Sequence, residues 1–162
     1  MTQQIQKQVE RLVRERGLNR GLVLEVGSLD INGGVRQFFD RVEGYIGVDQ
    51  QPGKGVDLVC NAHGLALGGM TYDTVLCLEM LEHDDAPWLT VPVLHRLLAP
   101  GGTLIVSTPT SGFPEHRHPQ DYWRFMRDAY TGFVLKGLVD QEIIEVRDTQ
   151  GHPGLIGAGK QP

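Results

Sequence analysis

The sequence predicts an α/β domain with a mostly parallel sheet, and three observations carry the prediction. Short runs of Val, Ile and Leu recur at strand length and are apolar almost throughout, the pattern of strands buried on both faces. Segments with helical spacing separate these runs, the alternation that parallel strands joined by crossovers require. The last two runs are joined by a link too short for a crossover helix, so they are expected to pair antiparallel.

The elements follow in order. Ile5, Val9, Leu12 and Val13 fall at i, i+4, i+7 and i+8, one stripe of an amphipathic helix that stops near Gly17. Leu22 to Val26 is the first buried strand, followed by a polar loop containing glycines and a short helical turn over Val35 to Val42. Tyr45 to Asp49 reads as the second buried strand, Val56 to Cys60 as the third and Tyr72 to Leu78 as the fourth. The stretch His63 to Thr71 is too short for a full helix and is expected to be a loop. Pro87 to Leu98 has its apolar residues, Trp88 and Leu89 among them, at helical spacing; Pro100-Gly101-Gly102 ends it before the fifth strand, Thr103 to Ser107. A helix over Asp128 to Leu138 precedes the final strands, Glu142 to Val146 and Gly154 to Ala158, linked through Gly151 and Pro153.

The chain has 162 residues, 40% hydrophobic and 22% charged, which is the size and composition of one folded domain. One domain over 1–162 is expected, with an N-terminal helix in 1–18 and a core in 20–162. Fifteen Lys and Arg against twenty Asp and Glu give a net charge of −5, which disfavours binding to nucleic acid. Cys60 and Cys77 both sit in apolar runs and read as buried structural thiols. No apolar run reaches the ~20 residues of a membrane span, and Met1 to Lys7 is polar. The expectation is a soluble cytoplasmic protein, monomeric or homodimeric, that acts on a small molecule.

The loop after the first strand places Gly27 at its carboxyl end, with Gly33 and Gly34 expected to open the next helix. Ligands bind open parallel sheets at this edge, where glycine admits a close approach and a helix start offers free N–H groups. Leu29 stands where a dinucleotide fingerprint has its second glycine, so a pyrophosphate site is not spelled. Asp49 ends the second strand 22 residues after Gly27, placed to accept both hydroxyls of a ribose.

The ordered set Val23-Leu24-Glu25-Val26-Gly27, Gly47-Val48-Asp49, Asn61-Ala62-His63-Gly64-Leu65, Leu78-Glu79-Met80-Leu81-Glu82-His83 and Leu97-Leu98-Ala99-Pro100-Gly101-Gly102-Thr103 resembles a class I S-adenosylmethionine-dependent methyltransferase, of the group called methyltransferase domain 11. The resemblance implies a Rossmann-like, doubly wound sheet of seven strands in order 3-2-1-4-5-7-6. It implies that Glu25 and Gly27 lie against the methionine part of S-adenosylmethionine, that Asp49 holds the ribose and that Asn61 and Ala62 meet the adenine. Ser28, Leu78 and Glu79 complete the implied cofactor-binding set. Asn61 replaces the Asp of many relatives, and the loop from Gly27 to Gly33 is longer and more polar than the family's usual glycine run.

Acceptor-side candidates fall in two groups, Glu79 to His83 and the segment Ser111 to Arg127, dense in aromatic and titratable residues such as His116, His118, Asp121, Tyr122 and Trp123. His83 is the candidate general base, with Glu79 and Tyr122 as further catalytic candidates. Glu79-x-x-Glu82-His83 also spells carboxylates and imidazole at metal-ligand spacing, with His116, His118 or Asp121 as a possible fourth donor. The same pattern occurs in relatives without a metal, and no metal is expected here. Methyl transfer to a small-molecule acceptor, to oxygen in preference to nitrogen, is the expected activity. An NAD-dependent oxidoreductase and a non-catalytic module that binds S-adenosylmethionine are the alternatives.

Overall fold

The computed structural model describes every residue except Leu67. Helix α1 spans Gln3–Arg16; the Thr2 hydroxyl accepts from the Ile5 N–H at its start, and Gly17, at φ 63°, ends it in the left-handed conformation. Seven strands follow: β1 (Leu22–Val26), β2 (Gly44–Asp49), β3 (Leu58–Val59), β4 (Tyr72–Leu78), β5 (Leu98–Pro109), β6 (Val139–Arg147) and β7 (Pro153–Lys160). They form one sheet in the order β3-β2-β1-β4-β5-β7-β6. The first five pair parallel, while β7 runs antiparallel to both β5 and β6. The expected architecture is the observed one.

Alternation along the central strands explains why their sequences are apolar throughout. Leu24, Val26, Val75, Cys77, Leu104 and Val106 enter one core. Val23, Leu76, Leu78, Ile105 and Ile156 enter the other, on the opposite face. The stripe of α1 covers the second core, whereas α2 (Pro87–Arg96) and the segment Tyr130 to Leu138 cover the first.

Several element readings are corrected. The third strand is not a buried run over Val56 to Cys60: only Leu58 and Val59 pair with β2, and both are exposed because this is the sheet edge. Asp57 breaks the run, its carboxylate drawn to the Gly47 N–H (2.8 Å) and to Arg36 (2.9 Å). Cys60 is accordingly half-buried, not a core thiol, while Cys77 is fully buried. Val35 to Val42 contributes only a 3-10 turn, Arg36–Phe38. Between β3 and β4 there is a 3-10 turn, Ala62–Gly64; of the predicted loop His63 to Thr71, Leu67 lies outside the described residues. The helix expected over Asp128 to Leu138 is α3 (Arg127–Ala129) continued by one π turn, Tyr130–Val134.

That π turn aims Tyr130 into the core. Its hydroxyl lies 3.0 Å from the Thr108 hydroxyl and 3.1 Å from the Leu155 carbonyl, tying the helical segment to β5 and β7. Gly157 makes the room, since a Cβ there would stand 2.5 Å from the Tyr130 ring. Tyr130→Phe is expected to destabilise the chain by about 1–3 kcal/mol in urea unfolding, because it leaves buried partners unpaired.

Glu25, in the middle of the sheet, accepts a 2.6 Å hydrogen bond from the Tyr45 hydroxyl. Burial raises its pKa to about 7 despite that bond. The folded chain therefore holds this proton more tightly than the unfolded chain, and stability falls as pH rises from the ordinary carboxylate range toward 7. Glu25→Gln is expected to gain up to about 3 kcal/mol on the wild type between pH 4.5 and pH 7.5, read from urea midpoints.

Candidate active site

The site begins where β1 ends. Gly27 has φ 84°, and a Cβ on it would stand 2.6 Å from the Met80 side chain, so only glycine makes this turn. The N–H groups of Gly27 and Ser28 donate to the Val48 carbonyl (2.8 and 3.1 Å), and the loop folds back over β2. Gly33 and Gly34 do not open a helix, contrary to expectation. The Gly33 N–H is taken by the Asp30 carboxylate at 2.6 Å, and Asp30 is paired in turn with Lys54 at 2.7 Å.

Asp49, at the tip of β2, accepts from the Leu29 N–H (3.2 Å) and the Gln51 N–H (3.0 Å), one to each carboxylate oxygen. Each oxygen keeps a lone pair free for another donor. The Asn61 amide oxygen caps the next turn by accepting from the His63 N–H at 2.8 Å. These tips border a cavity of about 320 Å³ at the carboxyl edge of the sheet.

Gly27, Asp49, Asn61 and Ala62 line the cavity on one side, and His83 and Tyr122 line it on the other. Glu25, Ser28, Leu78 and Glu79 do not line it. Glu25 turns to Tyr45, Leu78 points into the core, and the Ser28 hydroxyl is buried without a partner. Glu79, at φ 54°, turns to β5: its N–H donates to the Ser107 carbonyl, and its carboxylate accepts from the Ser107 hydroxyl at 2.9 Å. Burial first, and then the Glu82 carboxylate, raise the Glu79 pKa to about 7.

The sequence reading missed other lining residues: Cys60, His63, Asp84, Asp85, Pro119 and Gln120 among them. Asp84 accepts locally from the Ala86 N–H and the Thr90 hydroxyl and, remote in sequence, lies 2.7 Å from His63 Nε2. No local pattern announces such a pairing. Pro119 and Gln120 reach the cavity because their segment is strapped onto residues 82–84. The N–H groups of Tyr122 and Trp123 donate to the Glu82 carbonyl, and the Trp123 indole N–H donates to the Asp84 carbonyl at 2.7 Å.

Beside the cavity the strap builds a group of ionisable side chains around Glu82. This residue is fully buried, and neither carboxylate oxygen has a hydrogen-bond partner. His83 Nε2 lies 3.6 Å and His116 Nε2 3.7 Å from Glu82 Oε1. The His83 ring is oriented by the Gln120 carbonyl at Nδ1; His116 Nδ1 lies 3.4 Å from Asp121 Oδ2 but has no hydrogen-bond partner, that oxygen accepting from the His116 backbone N–H at 2.8 Å. Arg124 grips Asp121 through both terminal nitrogens and holds its carboxyl well below the usual range. Burial pushes Glu82 up and His83 down, while Glu82 raises His116. The structure thus joins His116 to Glu82 and His83, leaves Glu79 turned away, and places His118 at a ring distance of 6.4 Å from His83.

A family model described as a methyltransferase domain matches residues 1–137. Among solved structures, the 1,6-didemethyltoxoflavin-N1-methyltransferase of Burkholderia thailandensis, with bound 1,6-didemethyltoxoflavin and S-adenosylhomocysteine, has a TM-score of 0.74 at 20% identity. The alignment covers 98% of this chain and 79% of that one. The N-methyltransferase NodS from Bradyrhizobium japonicum, in complex with S-adenosylhomocysteine, has a TM-score of 0.75 at 14% identity, covering 97% of this chain and 85% of that one. These likenesses show the fold. A ubiquinone biosynthesis O-methyltransferase of Burkholderia ambifaria is 30% identical over a match that covers 51% of this chain and 42% of that protein, less than half its length. With the family model spanning most of the sequence and the sheet order the resemblance implied, the chain belongs to the methyltransferase-domain family.

Proposed function

We propose that the chain binds S-adenosylmethionine in the cavity at the strand tips and transfers its methyl group to an oxygen of a small-molecule acceptor. The chemistry of the lining supports the cofactor. Asp49, Asp84 and Asp85 are carboxylates, and among the described residues no Lys or Arg lines the cavity. This suits a sulfonium and opposes the pyrophosphate of NAD. The free lone pairs of Asp49 suit a ribose diol, and Asn61 with Ala62 offers polar groups in the lining of the same cavity. No helix among the described residues is long and apolar enough to cross a membrane.

S-adenosylmethionine supplies an already activated methyl group, so the protein's part is to align the acceptor, exclude water and take up the acceptor proton. The observation that carries the oxygen reading is the buried, unpartnered Glu82 carboxylate faced by two imidazole nitrogens beside the cavity. With its Nδ1 at the Gln120 carbonyl, His83 presents Nε2 as the atom that takes a hydroxyl proton. Tyr122 forms the acceptor-side wall, and Glu79, turned to Ser107, shapes the strand end rather than reaching the acceptor. The relative named for O-methyl transfer supports oxygen over nitrogen.

A second reading rests on the same Glu82. One carboxylate and two imidazoles, with the His83 ring oriented through its other nitrogen, form a donor set suited to a divalent cation, with positions left open for acceptor oxygens. Glu82, His83 and His116 would hold such a cation, which would act on the acceptor as a Lewis acid. The group His63, Asp84 and Asp85 is a poorer candidate, because the Asp84 carboxylate already has its partners.

Asp49→Ala is expected to weaken S-adenosylhomocysteine binding at least about tenfold by calorimetry with the melting temperature kept, since a charge-assisted contact is lost. A melting shift with NADH but not with S-adenosylhomocysteine would overturn the cofactor assignment. His83→Ala is expected to lower turnover by about a hundredfold or more with cofactor affinity unchanged. Tight cofactor binding without methylation of any member of a phenol and alcohol panel would favour a non-catalytic module. For the metal reading, Mn²⁺ is expected to raise the melting temperature of the wild type but not of Glu82→Gln or His116→Ala; turnover indifferent to chelators would exclude it.

A further inference from the structure

The two tryptophans of the chain, Trp88 and Trp123, stand together on the surface beside the cavity, with ring centroids 6.1 Å apart and planes at 77°. Tyr122 lies 6.5 Å from Trp123 and is itself a wall of the cavity. Trp123 therefore neighbours both Trp88 and the cavity-lining Tyr122. They are exposed by 49% (Tyr122), 38% (Trp123) and 56% (Trp88), and Leu89, next to Trp88 on α2, by 51%. Large apolar groups grouped on a surface mark a binding site more often than the same groups scattered.

The group is fixed in place. The Trp123 indole N–H is bonded to the Asp84 carbonyl and its backbone N–H to the Glu82 carbonyl. Trp88 is the second residue of α2, three residues beyond Asp85. The strap thus brings Trp123 against the segment that carries His83, while Trp88 lies five residues beyond His83, and Tyr122 belongs to the cavity lining itself.

We propose that Trp88 and Trp123 are specificity-determining residues that take an uncharged, apolar arm of the acceptor, aliphatic or aromatic, extending beyond its reacting group. The inference rests on the reading of the cavity as a methyl-transfer site and deepens it by naming the class of acceptor. Continuity decides the occupant: the platform adjoins the cavity through Tyr122, which belongs to both. The perpendicular tryptophans leave a corner of apolar ring surface, and among the described residues neither ring carries a cation–π contact, so a neutral hydrocarbon arm fits it better than an anionic one.

The test uses the full chain saturated with S-adenosylhomocysteine and two ester series. Methyl, propyl and hexyl gallate carry phenolic hydroxyls; the same three esters of 3,4,5-trimethoxybenzoic acid have those oxygens blocked. Affinity is measured by calorimetry and, because both tryptophans lie in the platform, by their fluorescence. In the wild type, affinity is expected to tighten at least about tenfold from methyl to hexyl in both series, because each added methylene is withdrawn from water. Trp88→Ala is expected to lose most of that gain and Trp88→Phe to keep it, with melting temperature and S-adenosylhomocysteine affinity as checks on the fold. Equal affinity across chain length in the wild type, or an undiminished gain in Trp88→Ala, would overturn the proposal. If gallates bind no tighter than the blocked esters and are never methylated, the oxygen-acceptor reading fails while the chain-length result still decides the role of the tryptophans.

Discussion

One wall of this cavity exists because an irregular segment is pinned to residues 82–84, just beyond β4. The Glu82 carbonyl accepts from two consecutive N–H groups, Tyr122 and Trp123, and the Trp123 indole and the His83 ring add bonds on either side. The strap is irregular and residues Leu81–His83 form only a single 3-10 turn; each satisfies the other's backbone groups where no ladder can. Arg124 then sets the shape of the segment. Its guanidinium binds Asp121 through two nitrogens and also donates to the carbonyls of Phe113, Pro114 and Trp123. Five donors in a fixed plane can organise a loop in this way, and an ammonium could not.

What the sequence made legible follows from this division of labour. Local periodicity and buried strands announce themselves: the stripe of α1, the apolar runs of β1, β2 and β4, and the short link that forces β6 and β7 together were all readable from spacing. Edges were less readable. Leu58 and Val59 look like a buried strand in sequence, but they sit at the last position of the sheet, where nothing covers them, and Asp57 is used to tie down Gly47. The π turn at Tyr130 was hidden for another reason. Its extra residue serves the fit of one ring against Gly157, a contact between residues 27 apart in the chain.

The candidate site divides in the same way. Gly27, Asp49, Asn61, Ala62 and His83 lie at or just beyond strand tips, so the order of strands alone puts them on one edge. His116 and Gln120 join them only through the strap, and no spacing rule connects residue 116 to residue 82. Glu79 shows the opposite error. Its position in sequence is right for the cavity, yet its positive φ rotates the side chain toward Ser107. A one-residue conformational choice at a strand end moves a carboxylate from one side of the chain to the other.

Burial of acids at this edge has an energetic consequence for function. Glu25, Glu79 and Glu82 are all buried with carboxyl pKa values raised, and no Lys or Arg pairs with Glu79 or Glu82. Unpaired buried acids lower stability, and Glu79 adds the strain of a left-handed backbone beside a residue whose oxygens have no partners. A fold under selection for stability alone would replace them with apolar side chains of similar size. Glu25 and Glu79 are relieved in part by the Tyr45 and Ser107 hydroxyls, and a divalent cation between Glu82 and the two histidines would relieve the third. Of the three, Glu82 alone has no bonded partner on either oxygen, so the electrostatic arrangement is incomplete at that residue.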